Sequence, residues 1–335
     1  MYKTPKSWCF ITNLQDLKME KITKIRWVIA HEPLSLFVRA AKDFEREVNA
    51  QQSDQKIQVE IMTLTEYSDR YNNGVEVTKH DLLDLMDAGK IEMSQMYTTW
   101  LAEHYSNDMH VLDMPFLFDS HDHATRVLEG EVGEYLLGSI KEKSNVRGLA
   151  FTYSGGFRCI LSAKEIRTLA DFVGAPIRSN KNPMAMETFR AIGAQPVAME
   201  LEEINGAVEA GEIVGGETAY PRIYPLDQNK FHSSVIDSEH SLFLTSIIIT
   251  DTFWNSLDLE LQNIIKTAAI RAGRAERVES IKDGEQAKIK LVEEGKEVVR
   301  LSDQDQVEFI RRTAVVYEKF ADFFKPGLIE QIRKG

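Results

Sequence analysis

At 335 residues and 38.2 kDa the chain is long enough for two compact units, or for one large α/β domain, with a sizeable core. Its 43% hydrophobic and 27% charged residues, with 19 Gly and 9 Pro, are ordinary for a globular protein and exclude collagenous, coiled-coil and largely disordered chains. Forty basic against 52 acidic side chains leave a net charge of -12, which argues against a nucleic-acid surface while leaving room for a basic pocket.

Residues 1–23 lack sustained periodicity and read as a leader or arm, with the folded part beginning near Lys24. That segment has no apolar stretch of secretory length, so no export signal is expected in it. Apolar runs such as Ile247–Ile249 are far shorter than the roughly 20 residues that cross a bilayer, so no membrane span is expected. Ile25, Trp27 and Ile29 alternate as a first strand, Leu36 to Val48 recur at helical spacing, and Ile57, Val59 and Ile61 form a second strand. Strand, helix, strand implies a parallel sheet. A helix over His80–Ala88, a stop at Gly89 and a strand over Ile91–Met96 continue the pattern.

Far downstream, Asp87-Ala88-Gly89-Lys90-Ile91 is echoed by Glu209-Ala210-Gly211-Glu212-Ile213. Two similar halves in two lobes account for the echo, and so does the ordinary chemistry of loops between helix and strand. Leu149–Leu161, broken by Ser154-Gly155-Gly156, reads as the first crossing between domains, and Ser241–Asp251 as the return. The longest helical pattern starts after Asp258 and runs to about Glu294, long enough to lie across both lobes. A last helix is expected over Asp305–Phe324. Cys9 and Cys159 lie far apart, and the reading for Cys159 is a buried thiol, with a disulfide left open.

No G-x-S-x-G, H-E-x-x-H, paired C-x-x-C or phosphate-loop pattern occurs. His121-Asp122-His123 opens a helical segment behind Asp119 and Ser120, so helix capping is preferred there over a metal cluster. His31-Glu32-Pro33 follows the first strand at its carboxyl end, where open α/β sheets bind ligands, and reads either as a pocket loop or as a plain turn. The arginines carry more. Arg158 and Arg178 each sit in a short apolar strand context, and arginine is seldom buried without a partner. Each either forks a small carboxylate in a cleft or bridges internally to Glu203 or Glu217, and the sequence leaves both open.

Four segments together resemble the solute-binding subunit of tripartite ATP-independent periplasmic (TRAP) transporters: residues 112–136, 156–179, 191–217 and 253–269. The resemblance covers about Lys24 to the C-terminus. It implies an α/β, two-lobed, periplasmic-binding-protein-like fold, each lobe a mixed sheet flanked by helices, with a long helix crossing both lobes. The bounds expected are 24–155 plus about 244–285 for the first lobe and 156–243 plus about 286–335 for the second. It implies a non-enzymatic, periplasmic, monomeric protein without cofactor or metal that captures a small organic acid by hinge closure for a membrane permease. A ligand-sensing module and a cytosolic enzyme on the same fold are the alternatives. The family's carboxylate-clamping arginine falls on Arg178 and its second ligand arginine on Arg158. The family's G-Q-E-N motif appears as Gly215-Gly216-Glu217-Thr218, placing Glu217 and Thr218 at the ligand and leaving its second polar end open. Gln95, Met96, Tyr97 and Thr98, Ala30, His31 and Glu32, and His240 complete the expected wall. The polar stretch Tyr67–Gly74 is read as a loop, either solvated or sending Tyr67, Asp69, Arg70 or Tyr71 to the site.

Overall fold

The structure is a computed structural model that describes residues 22–51 and 56–335. Ten strands alternate with helices: β1 (Ile22–Ile29), β2 (Lys56–Thr63), β3 (Met93–Tyr97), β4 (Val146–Ser162), β5 (Pro176–Ser179), β6 (Gln195–Ala198), β7 (Gly215–Ala219), β8 (Ser234–Ile236), β9 (Leu242–Thr250) and β10 (Glu297–Val299). In the first lobe β1 lies parallel between β2 and β3, β9 runs antiparallel to β3, and the first half of β4 runs antiparallel to β9. In the second lobe the remainder of β4 pairs antiparallel with β7 and β8, β5 lies parallel between β6 and β7, and β10 pairs parallel with β8. The parallel strands carry helical crossovers, as the alternation of apolar runs and helical spacing requires.

β4 serves both lobes, and its register against β9 shifts between Tyr153 and Gly156. Gly155 and Gly156 take φ of 109° and 84° there, and a Cβ on Gly155 would lie 2.8 Å from the Ala219 Cβ, so no larger residue fits this bend. The helix Leu259–Glu293, capped by Asp258 on the Leu261 amide (2.9 Å), packs on β4, on the helix Leu34–Asn49 and on the helix Tyr220–Ile223. It grips the bend through buried charges: Arg277 Nη1 donates to the Phe151 carbonyl at 2.7 Å, and a Glu276 oxygen accepts from the Tyr153 amide at 2.7 Å.

The echoed pentapeptides occupy the same place in each lobe. Lys90 N bonds the Leu85 carbonyl (2.9 Å) and Gly89 N that of Met86 (2.8 Å); Glu212 N bonds Ala207 (2.9 Å) and Gly211 N bonds Val208 (3.1 Å). Both are the same helix-ending pair of bonds, followed by an inward strand.

Several boundaries differ from the sequence reading. β1 begins at Ile22, two residues inside the expected arm, and the strand expected over Ile91–Met96 runs Met93–Tyr97. Tyr67–Tyr71 belong to a helix, Leu64–Tyr71, because Thr63 and Glu66 form a reciprocal cap that the polar composition concealed. The helix expected over Asp305–Phe324 spans Asp303–Lys319, capped by Ser302, and packs on the second lobe through Phe309. The following helix, Leu328–Lys334, instead returns to the first lobe, where Leu328 and Ile332 join its core and His123 Nε2 meets the Ile332 carbonyl at 2.7 Å. Cys159 is a buried free thiol whose pKa is raised by burial; Cys9 lies outside the described residues. Ser120 caps the helix His121–Leu128 by accepting from His123 N at 3.1 Å. No helix among the described residues is long and apolar enough to cross a membrane.

Candidate ligand-binding site

The carboxyl ends of β1, β3, β5 and β7 and the crossing strands β4 and β9 converge on a cavity of about 340 Å³ between the lobes. Open α/β sheets place ligands at this end because the strands stop there and the following loops splay apart. Ala30, His31 and Glu32 follow β1; Tyr97, Thr99 and Trp100 follow β3; Arg178 and Asn180 come from β5; Glu217 and Thr218 from β7; Arg158 from β4 and Phe243 from β9.

Arg178 is 8% exposed and spends only Nε on the protein, donating to the Met199 carbonyl at 3.1 Å. Among the described residues it forms no ion pair, so its two terminal amino groups are left for whatever enters the cavity. Burial pushes its pKa from 12.5 down to about 10; Glu217 opposes the shift and Arg158 and Arg222 add to it. Gly216, beside it on β7, is required by this packing: a Cβ there would lie 2.9 Å from the Arg178 Cβ and 3.2 Å from its carbonyl oxygen.

Arg158 is the internally bridged one. Its Nε lies 3.7 Å from a Glu217 oxygen, and its guanidinium lies over the Phe243 ring at 3.5 Å from the centroid. Burial alone would raise the Glu217 carboxyl, but Arg158, His240 and Arg178 outweigh it and hold it at about 2, so it is ionised. Glu217 also accepts from the Asn180 amide (3.3 Å) and from His240 Nε2 (3.4 Å). The other candidate bridge, Glu203, caps a turn through the Glu200 amide (2.9 Å).

A third guanidinium, Arg222, is 2% exposed and donates through Nη1 to Ser154 Oγ (2.7 Å) and Tyr97 Oη (3.2 Å). Phe243 stacks on Tyr97 (5.1 Å, 17°) and lies beneath Arg222 (5.0 Å), so one ring backs two of the three arginines. His31 packs between Tyr97, Trp100 and Phe37, and burial, then Lys79 and Arg222, push its pKa down to about 3, so the ring is neutral. Across the mouth, Lys79 of the first lobe reaches Glu202 (2.9 Å) and Glu200 (3.6 Å) of the second.

Of the residues singled out by sequence, Arg178, Arg158, Glu217, Thr218, Tyr97, His31, Glu32 and Ala30 line the cavity. Thr218 donates Oγ1 to Gln228 Oε1 at 2.9 Å. Eight do not line it. Gln95 points the other way from β3, bonding Thr152 and Thr245 hydroxyls, because alternate side chains of a strand face opposite sides. Met96 and Thr98 are buried in the first lobe, Thr98 on the Leu244 carbonyl. His240 stands behind Glu217, held by Ser238 (2.8 Å). Tyr67, Arg70 and Tyr71 are engaged on β2 and its surroundings, Arg70 and Tyr71 on Glu60 and Tyr67 on the Lys90 carbonyl, and Asp69 is likewise absent from the lining. Sequence reasoning missed Arg222, Phe243, Trp100 and Glu103. Arg222 carried a readable signal, an arginine in the apolar run Ala219-Tyr220-Pro221-Arg222-Ile223 directly after β7, but it lies on a helical turn and not on a strand.

Residues 29–322 match the model of the bacterial extracellular solute-binding proteins, family 7. The chain belongs to that family. Its relatives include an uncharacterised Haemophilus influenzae protein (31% identical over 57% of this chain and 58% of that one), the C4-dicarboxylate-binding periplasmic protein DctP of Shewanella loihica (25%, 68% and 68%) and the 2,3-diketo-L-gulonate-binding periplasmic protein YiaO of Escherichia coli (27%, 60% and 60%). The matched stretch thus spans about three fifths of the first curated relatives' length. Among solved structures, a TRAP periplasmic solute-binding protein from Pseudomonas putida F1 with bound D-glucuronate superposes with a TM-score of 0.76 at 24% identity, covering 92% of this chain and 96% of that one. One from Shewanella oneidensis with bound succinate gives 0.78 at 20%, covering 93% and 98%. Both share the two-lobed fold of this family-7 chain, the architecture expected from sequence.

Proposed function

We propose that this family-7 protein captures a small organic acid in the interlobe cavity and delivers it to the membrane permease of a TRAP transporter, on the periplasmic side and without chemical conversion. The observation that carries this reading is Arg178: a guanidinium 8% exposed that lines the cavity between the two lobes, with both terminal amino groups unpaired among the described residues. A planar fork held this way matches a carboxylate, and the ligand's charge supplies the partner the protein withholds. Arg222 and Arg158 add field and donors at the same end. Closure of the lobes around the acid brings both walls onto it, and a permease that prefers the closed state then reads occupancy. Relatives named for C4-dicarboxylates and 2,3-diketo-L-gulonate, and neighbours holding glucuronate and succinate, support the acid class. Among the described residues of the cleft, Glu217 is locked ionised among cations and His31 is neutral behind Met96, so neither is poised as an acid–base catalyst, which supports binding over catalysis.

The test is a thermal-shift screen of the purified protein against monoacids, diacids, keto acids and sulfonates, with mass spectrometry of each ligand afterwards. A ligand at 1,000 times its Kd adds about 4 kcal/mol. Stabilisation by an acid, with the ligand recovered unchanged, is the expected result. Conversion of the ligand, or stabilisation only by cations and neutral sugars, would overturn the reading.

A further inference from the structure

The charged lining of the cavity is sorted by depth. On the floor, Arg158, Arg178 and Arg222 stand against one carboxylate, Glu217, and each of the four is less than a tenth exposed, a surplus of two positive charges. At the rim, the carboxylates of Glu32, Glu103, Glu200 and Glu202 face the ammonium groups of Lys79 and Lys181, a surplus of two negative charges. Both ammonium groups are already paired, Lys79 with Glu202 at 2.9 Å and Lys181 with Glu200 at 2.7 Å. Glu103 has no hydrogen bond or ion pair among the described residues, and the charges around it include Asp113 and Glu200 as well as the histidines His104 and His110. Burial, and then those two acids, raise its pKa against the pull of the histidines. It shares one face of the helix Thr98–His104 with Trp100, whose ring stacks on His80 (5.1 Å, 22°) as a flat wall between the two ends.

We infer that this cleft selects a monocarboxylic acid with a hydroxylated tail and rejects a diacid with its second carboxylate at the far end, Glu103 and Glu32 being the residues that reject it. The inference rests on the acid-binding reading above. An acid head on the floor meets unpaired guanidinium. A second carboxylate at the rim would meet Glu103, with no unpaired ammonium or guanidinium at the rim among the described residues, whereas a hydroxyl can donate to that same oxygen. Discrimination of this kind comes from the repulsion built against the wrong ligand as much as from contacts to the right one. Glu32 is turned to the same use, with one oxygen occupied by the Leu34 amide at 2.8 Å.

Three matched pairs test it by titration calorimetry at constant salt: D-erythronate with meso-tartrate, D-gluconate with D-glucarate, and D-galactonate with galactarate. The members of each pair share chain length and hydroxyls and differ at the far end. In every pair that binds, the monoacid should bind at least about tenfold tighter, the scale on which misplaced like charge acts at an interface. Glu103→Gln should bring the ratio to within about threefold by improving the diacid, and Glu32→Gln should add to it. A diacid that binds the wild type as well as its partner would overturn the inference and leave the acid-binding reading intact. So would a ratio unmoved in the double variant. Failure of all six acids to bind protein freed of endogenous ligand by refolding, with no acid in the broader screen stabilising it, would sink the acid-binding reading and this inference with it.

Discussion

Replacing Arg178 by Met separates a ligand clamp from a structural arginine, because the two roles predict opposite signs. Met keeps the aliphatic stem that packs beside Gly216 and removes the charge. A base whose folded pKa falls from 12.5 to about 10 is charged at a loss in the folded chain, and that loss is fully present at all pH below about 10. At 1.36 kcal/mol per pH unit it amounts to about 3 kcal/mol. Losing the Nε bond to Met199 (3.1 Å) offsets about 1 kcal/mol. The ligand-free variant should therefore be more stable by about 1–2 kcal/mol and melt about 2–6 °C higher. Affinity for the best acid of the screen should fall by about 2–5 kcal/mol, roughly 30-fold to several thousand-fold, because a buried carboxylate loses its fork. Calorimetric melting of ligand-free protein at pH 7 and isothermal titration give both numbers. A melting point several degrees lower with Kd within threefold of the wild type would refute the reasoning and make Arg178 a structural residue.

Glu217→Gln should destabilise the protein near neutrality by up to about 3 kcal/mol, since a carboxyl held at about 2 instead of 4.5 contributes stability above pH 4.5 and loses it as the pH falls toward 2. Urea midpoints of the two proteins should accordingly converge between pH 5 and pH 2.5, and a gap that stayed constant would place the effect elsewhere. Gly216→Ala should weaken acid binding at least about tenfold and destabilise by about 1–3 kcal/mol, because the new methyl lands 2.9 Å from Arg178 Cβ and pushes β5 aside. Unchanged affinity by titration would show that the strand gives way freely. Lys79→Ala removes an exposed clasp across the mouth worth about 0.5–1 kcal/mol, so ligand release, followed by the fluorescence of Trp100, should quicken about two- to fivefold and lose part of its salt dependence. Equal release rates in low and high salt for both proteins would count against the clasp.

The sequence by itself determined what depends on local pattern. Alternation in β1 and β2, helical spacing over Leu36–Val48, the Ala-Gly helix stops at 89 and 211, and the unbroken amphipathic run after Asp258 fix the elements, and the helical connections between successive strands force the parallel pairs such as β1 with β2. Arg158 and Arg178 were legible for the same reason: a charge set in an apolar strand has to meet something. What each meets was not legible. Arg158 and Arg178 sit in similar sequence settings, yet one lies 3.7 Å from Glu217 and the other, among the described residues, forms no ion pair, β4 and β5 flanking β7 on opposite sides. Arg222, Phe243 and Glu103 come from a helical turn, a crossing strand and a helix far apart in the chain, and only the meeting of the lobes at the bend of β4 makes them walls of one cavity. Gln95 falls outside the lining by the same limit, since which face of a strand looks into the cleft follows from sheet order and twist, which no run of neighbouring residues encodes.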